Sequence, residues 1–445
     1  MNKFKKKKVN FLKDKKFIEK LKFLKLSSSW SKSKIKLFQE KEIKKLLKWS
    51  FKNIPYYKKK FNNLNLNFNN FDVKSFSKLP LLDKQTLKKY NNLFKFKLSN
   101  TKLYYMTTGG TTGKPLKVWM DDEYKMFSLA CTYFYLDLFK LNPYKDKNVR
   151  IHGDTINIKK IKKNIFWEYE QQNKKKLIMS SYHITSANIM NYIKKISEHN
   201  PKYLHCYPSV IYLMAKIIKD MNIKINFFPD VIFTDSEMLY NNQKKLISKI
   251  FKCPVFSIYG HTEGCIFGYP DKKNNFFKLH PAVGYVELID KNGKIIHKDG
   301  VKGEIVVTGF LNKVFPLIRY RTQDFGIIDN KKSNFVILKK IFGRRQDFII
   351  SKNNEEIPVG PALFDYNYDW SRIEKFQIHQ KIKGRITFNI VINKEFSKQI
   401  KSISNSLKSR FERLLNNQFK INVRVHKEIK FTQRGKFRYL IQDLI

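Results

Sequence analysis

The stretch that decides the fold is TTGGTTGKP at residues 107–115. It consists of Thr107, Thr108, Gly109, Gly110, Thr111, Thr112, Gly113, Lys114 and Pro115. Glycine accounts for only 17 of the 445 residues, about half of its usual ~7% share, so three glycines within five positions are unusual. Glycines allow backbone N–H groups to turn toward an anion, and the hydroxyls and the lysine add donors and charge. The stretch therefore predicts a phosphate-binding loop, with a plain glycine and threonine hairpin as the alternative.

The loop is not a Walker A motif, because two positions differ from that pattern. Thr108 stands where the pattern has glycine, and Pro115 stands where it has serine or threonine. A strand is predicted on each side of the loop, at Leu103–Met106 and Leu116–Met120. Asp121 or Asp122 can cap the helix that follows, and its apolar stretch 126–139 is too short for a membrane span.

Farther along the chain, short apolar runs alternate with helical patterns. The runs predicted as strands are Val149–His152, Tyr203–Cys206, Val231–Thr234 and Val255–Tyr259. This alternation predicts a mostly parallel sheet covered by helices. From about residue 283 the pattern predicts a β-rich subdomain with strands at Val283–Ile289, Glu304–Thr308, Phe315–Tyr320 and Phe335–Ile341. We therefore predict an α/β fold with a large domain at 1–343 and a small, mobile α+β domain at 344–445.

Five stretches in order resemble the motifs of the adenylate-forming (AMP-binding) superfamily of acyl-CoA synthetases. They are the loop 107–115, YGHTE at 259–263, GEIVVTG at 303–309 with PLIRYRTQD at 316–324, GRRQD at 343–347, and GK at 435–436. NIPYY at 53–57, LPL at 79–81 and YPS at 207–209 are most similar to the phenylacetate–CoA ligase branch and its CapK-type proteins of capsular polysaccharide biosynthesis. The resemblance covers roughly residues 40–440.

The resemblance implies a two-step reaction. A carboxylic acid is activated by ATP to an acyl-adenylate with release of pyrophosphate, and the acyl group then passes to coenzyme A or another acceptor. The implied cofactors are ATP, Mg²⁺ and coenzyme A, and the implied partners are a small carboxylic acid and ATP. A role in capsule or surface polysaccharide biosynthesis is a further implication.

The resemblance also assigns roles to single residues. Thr107–Lys114 would bind the pyrophosphate, Tyr259 and Gly260 would lie at the adenine with Ser236 and Glu237, and Asp324 would accept hydrogen bonds from the ribose. The remaining assignments are Glu263 as the Mg²⁺ ligand, Thr262 at a phosphate, Arg344 at the ribose or phosphate, and Lys436 as the catalytic lysine. Gln323 stands where the family usually has glycine, and Gln346 departs from the hinge motif.

Three residues are candidates for the acyl pocket: His205, Cys206 and Cys265. The two in 205–206 end a predicted strand at the edge where ligands bind in open α/β sheets. A buried small hydrophobe is the alternative for Cys265. We interpret His152–Asp154 as structure at the sheet edge, with a place on the acyl or coenzyme A side as the alternative.

The chain carries a net charge of +52, from 89 basic and 37 acidic residues. Only 12 of the basic residues are arginine, whereas phosphate-binding surfaces favour arginine for its bidentate fork. The lysines therefore indicate solvated surface, and no specific nucleic acid is expected. The alternative is a basic, non-catalytic binding protein for nucleic acid or anionic membrane, built on a decayed nucleotide site.

Compartment and assembly are only bounded by the sequence. The four cysteines are too few for a disulfide framework, and no pair has the C-x-x-C spacing, which argues against a structural zinc site. No apolar segment of signal-peptide type follows the basic start, so we expect a cytoplasmic protein. Residues 11–38 are basic and amphipathic, which leaves a weak peripheral association with anionic membrane open beside a helix packed on the domain. Monomer and homodimer both remain open.

Overall fold

A computed structural model of the chain describes residues 14–61, 76–98, 101–108, 116–171, 173–272, 274, 276–329, 334–344, 348–358, 372–415, 417–430 and 437–444. The chain folds into two compact units. The first unit comprises Met1–Pro143 and Ser257–Ile341, and the second comprises Tyr144–Phe256 and Phe342–Ile445. The domain limits at 343 and 344 stay a sequence prediction.

The α-helices are α1 (Lys15–Ser27), α2 (Lys32–Asn53), α3 (Pro55–Phe61), α4 (Lys84–Lys89), α5 (Asp122–Leu138), α6 (Ile158–Ile161), α7 (Ile189–His199), α8 (Pro208–Asp220), α9 (Asn241–Phe251) and α10 (Ile400–Leu414).

The strands are β1 (Tyr104–Thr107), β2 (Lys117–Met120), β3 (Asn148–His152), β4 (Trp167–Glu170), β5 (Asn173–Ser180), β6 (Tyr203–Cys206), β7 (Val231–Thr234), β8 (Val255–Ser257), β9 (Tyr259–Gly260), β10 (Phe267–Pro270), β11 (Phe277–Leu279), β12 (Gly284–Ile289), β13 (Lys302–Gly309), β14 (Tyr320–Asp329), β15 (Ile337–Arg344), β16 (Phe348–Ile350), β17 (Glu356–Pro358), β18 (Ile373–Ile382), β19 (Arg385–Ile392), β20 (Lys420–Val425) and β21 (Leu440–Gln442).

The helices of the first unit begin and end where local signals predict. The carboxylate of Asp121 accepts the N–H of Tyr124 and caps α5, and α2 ends at Asn53, before the proline at 55. Helix α1 packs on α5, where the rings of Phe17 and Tyr133 meet edge to face at 5.1 Å. The interpretation of the basic stretch 11–38 as a helix packed on the domain is confirmed for α1. No helix in the described part of the chain has the length and apolar character that a membrane span needs.

A seven-stranded sheet forms the β-rich part of the first unit, in the order β12-β13-β14-β15-β11-β10-β9. The predicted β-rich subdomain is confirmed, but the predicted strand Phe315–Tyr320 is wrong, because only Tyr320 belongs to a strand, β14. Side chains bind the backbone there instead: Asn312 Oδ1 accepts the N–H of Phe315, and the Tyr57 hydroxyl accepts that of Ile318. The run is apolar because it is buried as an irregular segment.

The second unit contains a six-stranded sheet in the order β4-β5-β3-β6-β7-β8. Strands β5, β3, β6 and β7 run parallel to one another, and β4 is antiparallel to β5. The mostly parallel sheet is confirmed, and its core is filled from helices α7 to α9. The predicted strand Val255–Tyr259 is wrong in extent: it is split into β8 and β9, which belong to different sheets.

The C-terminal part of the second unit is a four-stranded sheet in the order β20-β19-β18-β21. Helix α10 packs on it through Ile403, Leu407 and Phe411, which repeat every four residues and are all buried. The predicted α/β fold, with sheets, covering helices and an α+β C-terminal part, is confirmed.

Candidate functional site

The residues that flank the predicted phosphate loop form an antiparallel strand pair. Strands β1 and β2 pair from Tyr104 opposite Met120 to Thr107 opposite Lys117. Thr108 is buried, and its N–H donates to the carbonyl of Leu116 at 2.9 Å. Residues 109–115, which include Gly109, Gly110, Thr111, Thr112, Gly113 and Lys114, lie outside the described residues. The phosphate-binding role of the loop therefore stays a prediction.

Tyr259 and Asp324, which the resemblance assigns to adenine and ribose, are in direct contact. The Tyr259 hydroxyl donates a hydrogen bond to Oδ2 of Asp324 at 2.9 Å. Tyr259 lies on β9 and Asp324 on β14, two strands of the same seven-stranded sheet. Both residues are less than a tenth exposed. The contact fixes one carboxylate oxygen and uses one of the roughly four acceptor positions that a carboxylate offers.

Thr322 positions Asp324, and sequence reasoning missed this role. Its hydroxyl donates to the carbonyl of Ile305 at 2.7 Å and accepts the N–H of Asp324 at 3.0 Å. Between them Gln323 adopts a φ of +65°, in the left-handed region that favours glycine. The backbone at this departure from the family pattern therefore has the conformation expected of glycine. The signal in the sequence was the threonine of the PLIRYRTQD stretch itself.

Glu263 is a buried carboxylate held by two side chains. Tyr320 donates from its hydroxyl to Oε1 at 2.9 Å, and Nδ1 of His261 lies 3.4 Å from Oε2. Burial alone would raise the pKa of Glu263, but the adjacent imidazole of His261 and the charge of Lys84 lower it to about 2. The carboxylate is therefore ionised at neutral pH.

This donor set fits Mg²⁺. The ion takes oxygen ligands and is typically held by one or two carboxylates together with substrate phosphates. Glu263 supplies one ionised carboxylate, and the half-buried Thr262 precedes it in a turn closed by the N–H of Gly264 and the carbonyl of His261. Tyr320, which orients Glu263, is the second positioning residue after Thr322 that the sequence did not reveal.

The arginines of the PLIRYRTQD stretch form ion pairs with glutamates of the seven-stranded sheet. Arg319 is 3% exposed and pairs with the buried Glu287 on β12, with an Nη2–Oε1 distance of 3.1 Å. Arg321 forms a forked contact with both carboxylate oxygens of Glu304 on β13. Arg319, directly before β14, is thereby joined to β12, and Arg321 joins β14 itself to the adjacent β13, so the motif fixes the backbone that carries Asp324.

Ser236 and Glu237 lie in the second unit, one residue beyond the end of β7. Ser236 adopts a φ of +67°. Oε2 of Glu237 accepts the N–H of Ser209 at 2.9 Å, in the first turn of α8. Carboxylates are stabilised at helix N-termini, so this contact anchors the loop that follows β7.

The three acyl-pocket candidates have different surroundings. His205 is partly exposed and its Nε2 lies 2.9 Å from Oδ2 of Asp235. Cys206 is the next strand residue, so it points to the opposite face, and it lies in the apolar core of the second unit. Cys265 lies in the core of the first unit. Burial raises the pKa of both thiols, as in buried structural cysteines.

Three residues singled out in the sequence lie wholly or partly outside the described part of the structure. Arg344 is the last residue of β15 and its side chain lies outside that part, and Gln346 and Lys436 lie outside it entirely. Their roles stay predictions.

Comparisons with known proteins identify the family and the fold. No family model matches the chain. Protein CapK of Staphylococcus aureus is 30% identical over 403 residues, which cover 88% of this chain and 86% of that protein. The crystal structure of 2-hydroxyisobutyryl-CoA ligase in its postadenylation state with R3-HIB-AMP superposes with a TM-score of 0.70 at 13% identity, over 92% of this chain and 89% of that one. The anthranilate CoA ligase AuaEII in complex with anthranoyl-AMP gives a TM-score of 0.50 at 14% identity, over 75% and 65% of the two chains. The chain therefore belongs to the CapK family and has the fold of the adenylate-forming CoA ligases.

Proposed function

We propose that the chain activates a carboxylic acid with ATP, forming an acyl-adenylate and pyrophosphate, and transfers the acyl group to coenzyme A or another acceptor. The observation that carries the proposal is the contact between Tyr259 and Asp324. These residues are 65 positions apart in the chain, and the resemblance assigned their roles from two separate motifs. Their meeting on one sheet is what a nucleoside-binding surface requires.

Asp324 would bind the ribose. Its Oδ2 already accepts one hydrogen bond from Tyr259, and the remaining lone pairs of the carboxylate can accept from two vicinal hydroxyls. The Tyr259 hydroxyl is engaged at the carboxylate, which sets the orientation of a ring that can lie against the adenine. Thr322 holds the backbone of Asp324 in place, so the acceptors are ordered before the nucleotide arrives.

Glu263 would hold Mg²⁺ beside Thr262, whose hydroxyl can meet a phosphate. Bound Mg²⁺ would neutralise charge on the phosphates. The protein would keep this carboxylate ionised and oriented through His261 and Tyr320. Thr107–Lys114 would supply donors to the departing pyrophosphate, and Lys436 would neutralise charge between the acid and the nucleotide during adenylation.

The finer assignment follows the family. We propose a phenylacetate–CoA ligase-like acid–thiol ligase acting in capsule or surface polysaccharide biosynthesis. The support is the identity to Protein CapK and the YPS and LPL stretches of the sequence. Ser236, Glu237, Gly260 and Arg344 would complete the nucleotide side of the site.

The experiment is acyl-adenylate formation by the purified chain, followed by mass spectrometry over a panel of carboxylic acids. Asp324→Asn should raise the KM for ATP by about 10- to 100-fold, since hydrogen bonds to a charged group contribute about 1.5–3 kcal/mol each. Asp329→Asn is the matched control, because Asp329 lies on the same strand but pairs with Lys339. Equal ATP kinetics in the two variants would contradict the assignment of Asp324. If no acid yields adenylate and the chain binds DNA or anionic vesicles in a salt-sensitive way, the binding-protein alternative is favoured.

A further inference from the structure

Three neighbouring parallel strands of the second unit deliver metal-ligand side chains to one edge. Strands β3, β6 and β7 are adjacent in the sheet. His152 is the last residue of β3, His205 lies one position before the end of β6, and Asp235 directly follows β7. Because the carboxyl ends of parallel strands meet at the same edge, these side chains converge. The reaction proposed above uses none of them as a metal ligand.

The distances within the cluster are those of a ligand set. Nε2 of His205 lies 2.9 Å from Oδ2 of Asp235, and Nε2 of His152 lies 3.6 Å from Oδ1 of the same carboxylate. One ligand atom from each residue lies within 4.8 Å of the other two. Neighbouring ligands on a tetrahedral ion with bonds of about 2.0–2.1 Å are separated by about 3.3 Å. The two short distances, one to each oxygen of Asp235, lie on either side of that value.

The cluster is closed on one side and open on the other. The His152 side chain is 6% exposed, whereas those of His205 and Asp235 are 24% and 28% exposed. The ring of Tyr207 packs against that of His152, with centroids 4.2 Å apart. An ion bound here would have protein on the His152 side and room for further ligands on the other, as in sites with three protein ligands and an open position.

Arg150 sets the state of His152 in this structure. Its Nε donates a hydrogen bond to Nδ1 of His152 at 2.7 Å, so the proton of the neutral imidazole resides on Nε2. A metal ion needs the Nε2 lone pair, which moves the proton to Nδ1 and displaces the arginine. A carboxylate stands ready to receive it, since Oδ2 of Asp154 lies 3.5 Å from the same Nε. Metal binding would therefore be coupled to a turn of Arg150 toward Asp154.

We propose that His152, His205 and Asp235 form a binding site for a divalent transition metal ion of the Zn²⁺ class. Two imidazoles and one carboxylate suit Zn²⁺ and Fe²⁺ and not Mg²⁺, which prefers oxygen ligands. The site is thus distinct in chemistry from that of Glu263. Its open positions would take an oxygen, nitrogen or sulfur donor of a ligand that reaches this sheet edge.

The test is Zn²⁺ binding to the full chain, stripped of metals by a chelator and free of ATP and Mg²⁺. A competing chromophoric chelator measures affinity, and the visible spectrum of added Co²⁺ reports the geometry. We expect one equivalent bound by the wild type, and an affinity more than about 10-fold lower in Asp235→Asn and in His205→Gln. Arg150→Gln should tighten binding by about 10-fold, the effect of a residue that contacts a ligand and not the ion.

The matched control is His379→Asn. His379 and Asp443 form a histidine–carboxylate pair at 3.1 Å that does not belong to the three-ligand group, so this variant should bind as the wild type does. Circular dichroism verifies the fold of each variant, and the partly exposed His205 decides the matter if Asp235→Asn fails to fold. A wild type that binds no more Zn²⁺ than His205→Gln would overturn the site. Unchanged or weaker binding in Arg150→Gln would overturn the coupling to Arg150.

Discussion

Tyr320 donates a hydrogen bond from its hydroxyl to Oε1 of Glu263, at 2.9 Å. A second contact runs the other way, from the Tyr259 hydroxyl to the carboxylate of Asp324. Each of the stretches 259–263 and 316–324 thus supplies one tyrosine and one carboxylate, and each tyrosine binds the carboxylate of the other. The two motifs are therefore joined by a reciprocal pair of tyrosine–carboxylate hydrogen bonds.

Removal of the Tyr320 hydroxyl tests whether this tyrosine positions Glu263. Tyr320→Phe should lower the free energy of unfolding by about 1.5–3 kcal/mol, because it deletes a buried hydrogen bond to an ionised group. It should also raise the Mg²⁺ concentration needed for adenylate formation, because Glu263 loses its orientation. Tyr57→Phe is the control: it removes a buried hydroxyl bound to Pro316 and Ile318 and should lower stability alone. The same Mg²⁺ dependence in both variants would rule out the positioning role.

The buried pair of Glu287 and Arg319 should dominate the stability of the sheet. Glu287→Gln should cost about 3–5 kcal/mol, because it leaves the guanidinium of Arg319 buried without a countercharge. Glu42→Gln removes an exposed pair with Lys45 and should change stability by less than about 1 kcal/mol. Urea unfolding of both variants measures the difference, and equal effects would show that Arg319 finds another acceptor.

His280 should make the first unit sensitive to acid. Burial lowers its pKa from 6.5 to about 4, against a smaller opposing effect of its contact with the carbonyl of Leu24. The unfolded chain takes up this proton near pH 6.5 and the folded chain only near pH 4. Stability is therefore full above pH 6.5 and is lost as the pH falls from there to 4, by about 3 kcal/mol in all.

Comparison with His280→Gln isolates this effect from the carboxylates. Urea unfolding of the two proteins between pH 7 and pH 4 should show that the wild type loses more stability than the variant over that interval. Parallel pH profiles would mean that His280 does not carry the acid sensitivity.

Gln323 should be a strained position. A non-glycine residue in the left-handed region costs about 1–2 kcal/mol. Glycine removes that strain, but its greater freedom in the unfolded chain offsets roughly half of the gain. Gln323→Gly should therefore raise the free energy of unfolding by about 0.5–1 kcal/mol. Gln377→Gly, in the strand β18, should lower it. A loss of stability in Gln323→Gly would show that the glutamine side chain makes a compensating contact.

Local signals in the sequence predicted the elements that depend on local interactions. The cap at Asp121 follows from residues within one turn. The irregular segment at 315–319 was mistaken for strand because its backbone is bound by Tyr57, more than 250 positions away. An apolar run shows burial, but it does not show which partner takes the backbone hydrogen bonds.

In the candidate site, too, the sequence predicted single residues but not the long-range contacts between them. The resemblance supplied Tyr259, Glu263 and Asp324 as separate residues, but the tyrosine–carboxylate contacts join positions 57 and 65 residues apart. The same holds for the cluster of His152, His205 and Asp235, because its members share no short spacing and meet only through the order of the strands. The positive φ at Gln323 also depends on three-dimensional context, since Thr322 is held by Ile305.

The most direct measurement of the central claim is ATP–pyrophosphate exchange by the purified chain across a panel of carboxylic acids, with Lys436→Ala beside it. We expect exchange that requires both Mg²⁺ and one class of acid, and a fall of roughly 100-fold or more in Lys436→Ala, the size expected for loss of a group that stabilises developing charge. Exchange that is unaffected by this substitution, or no exchange with any acid, would contradict it.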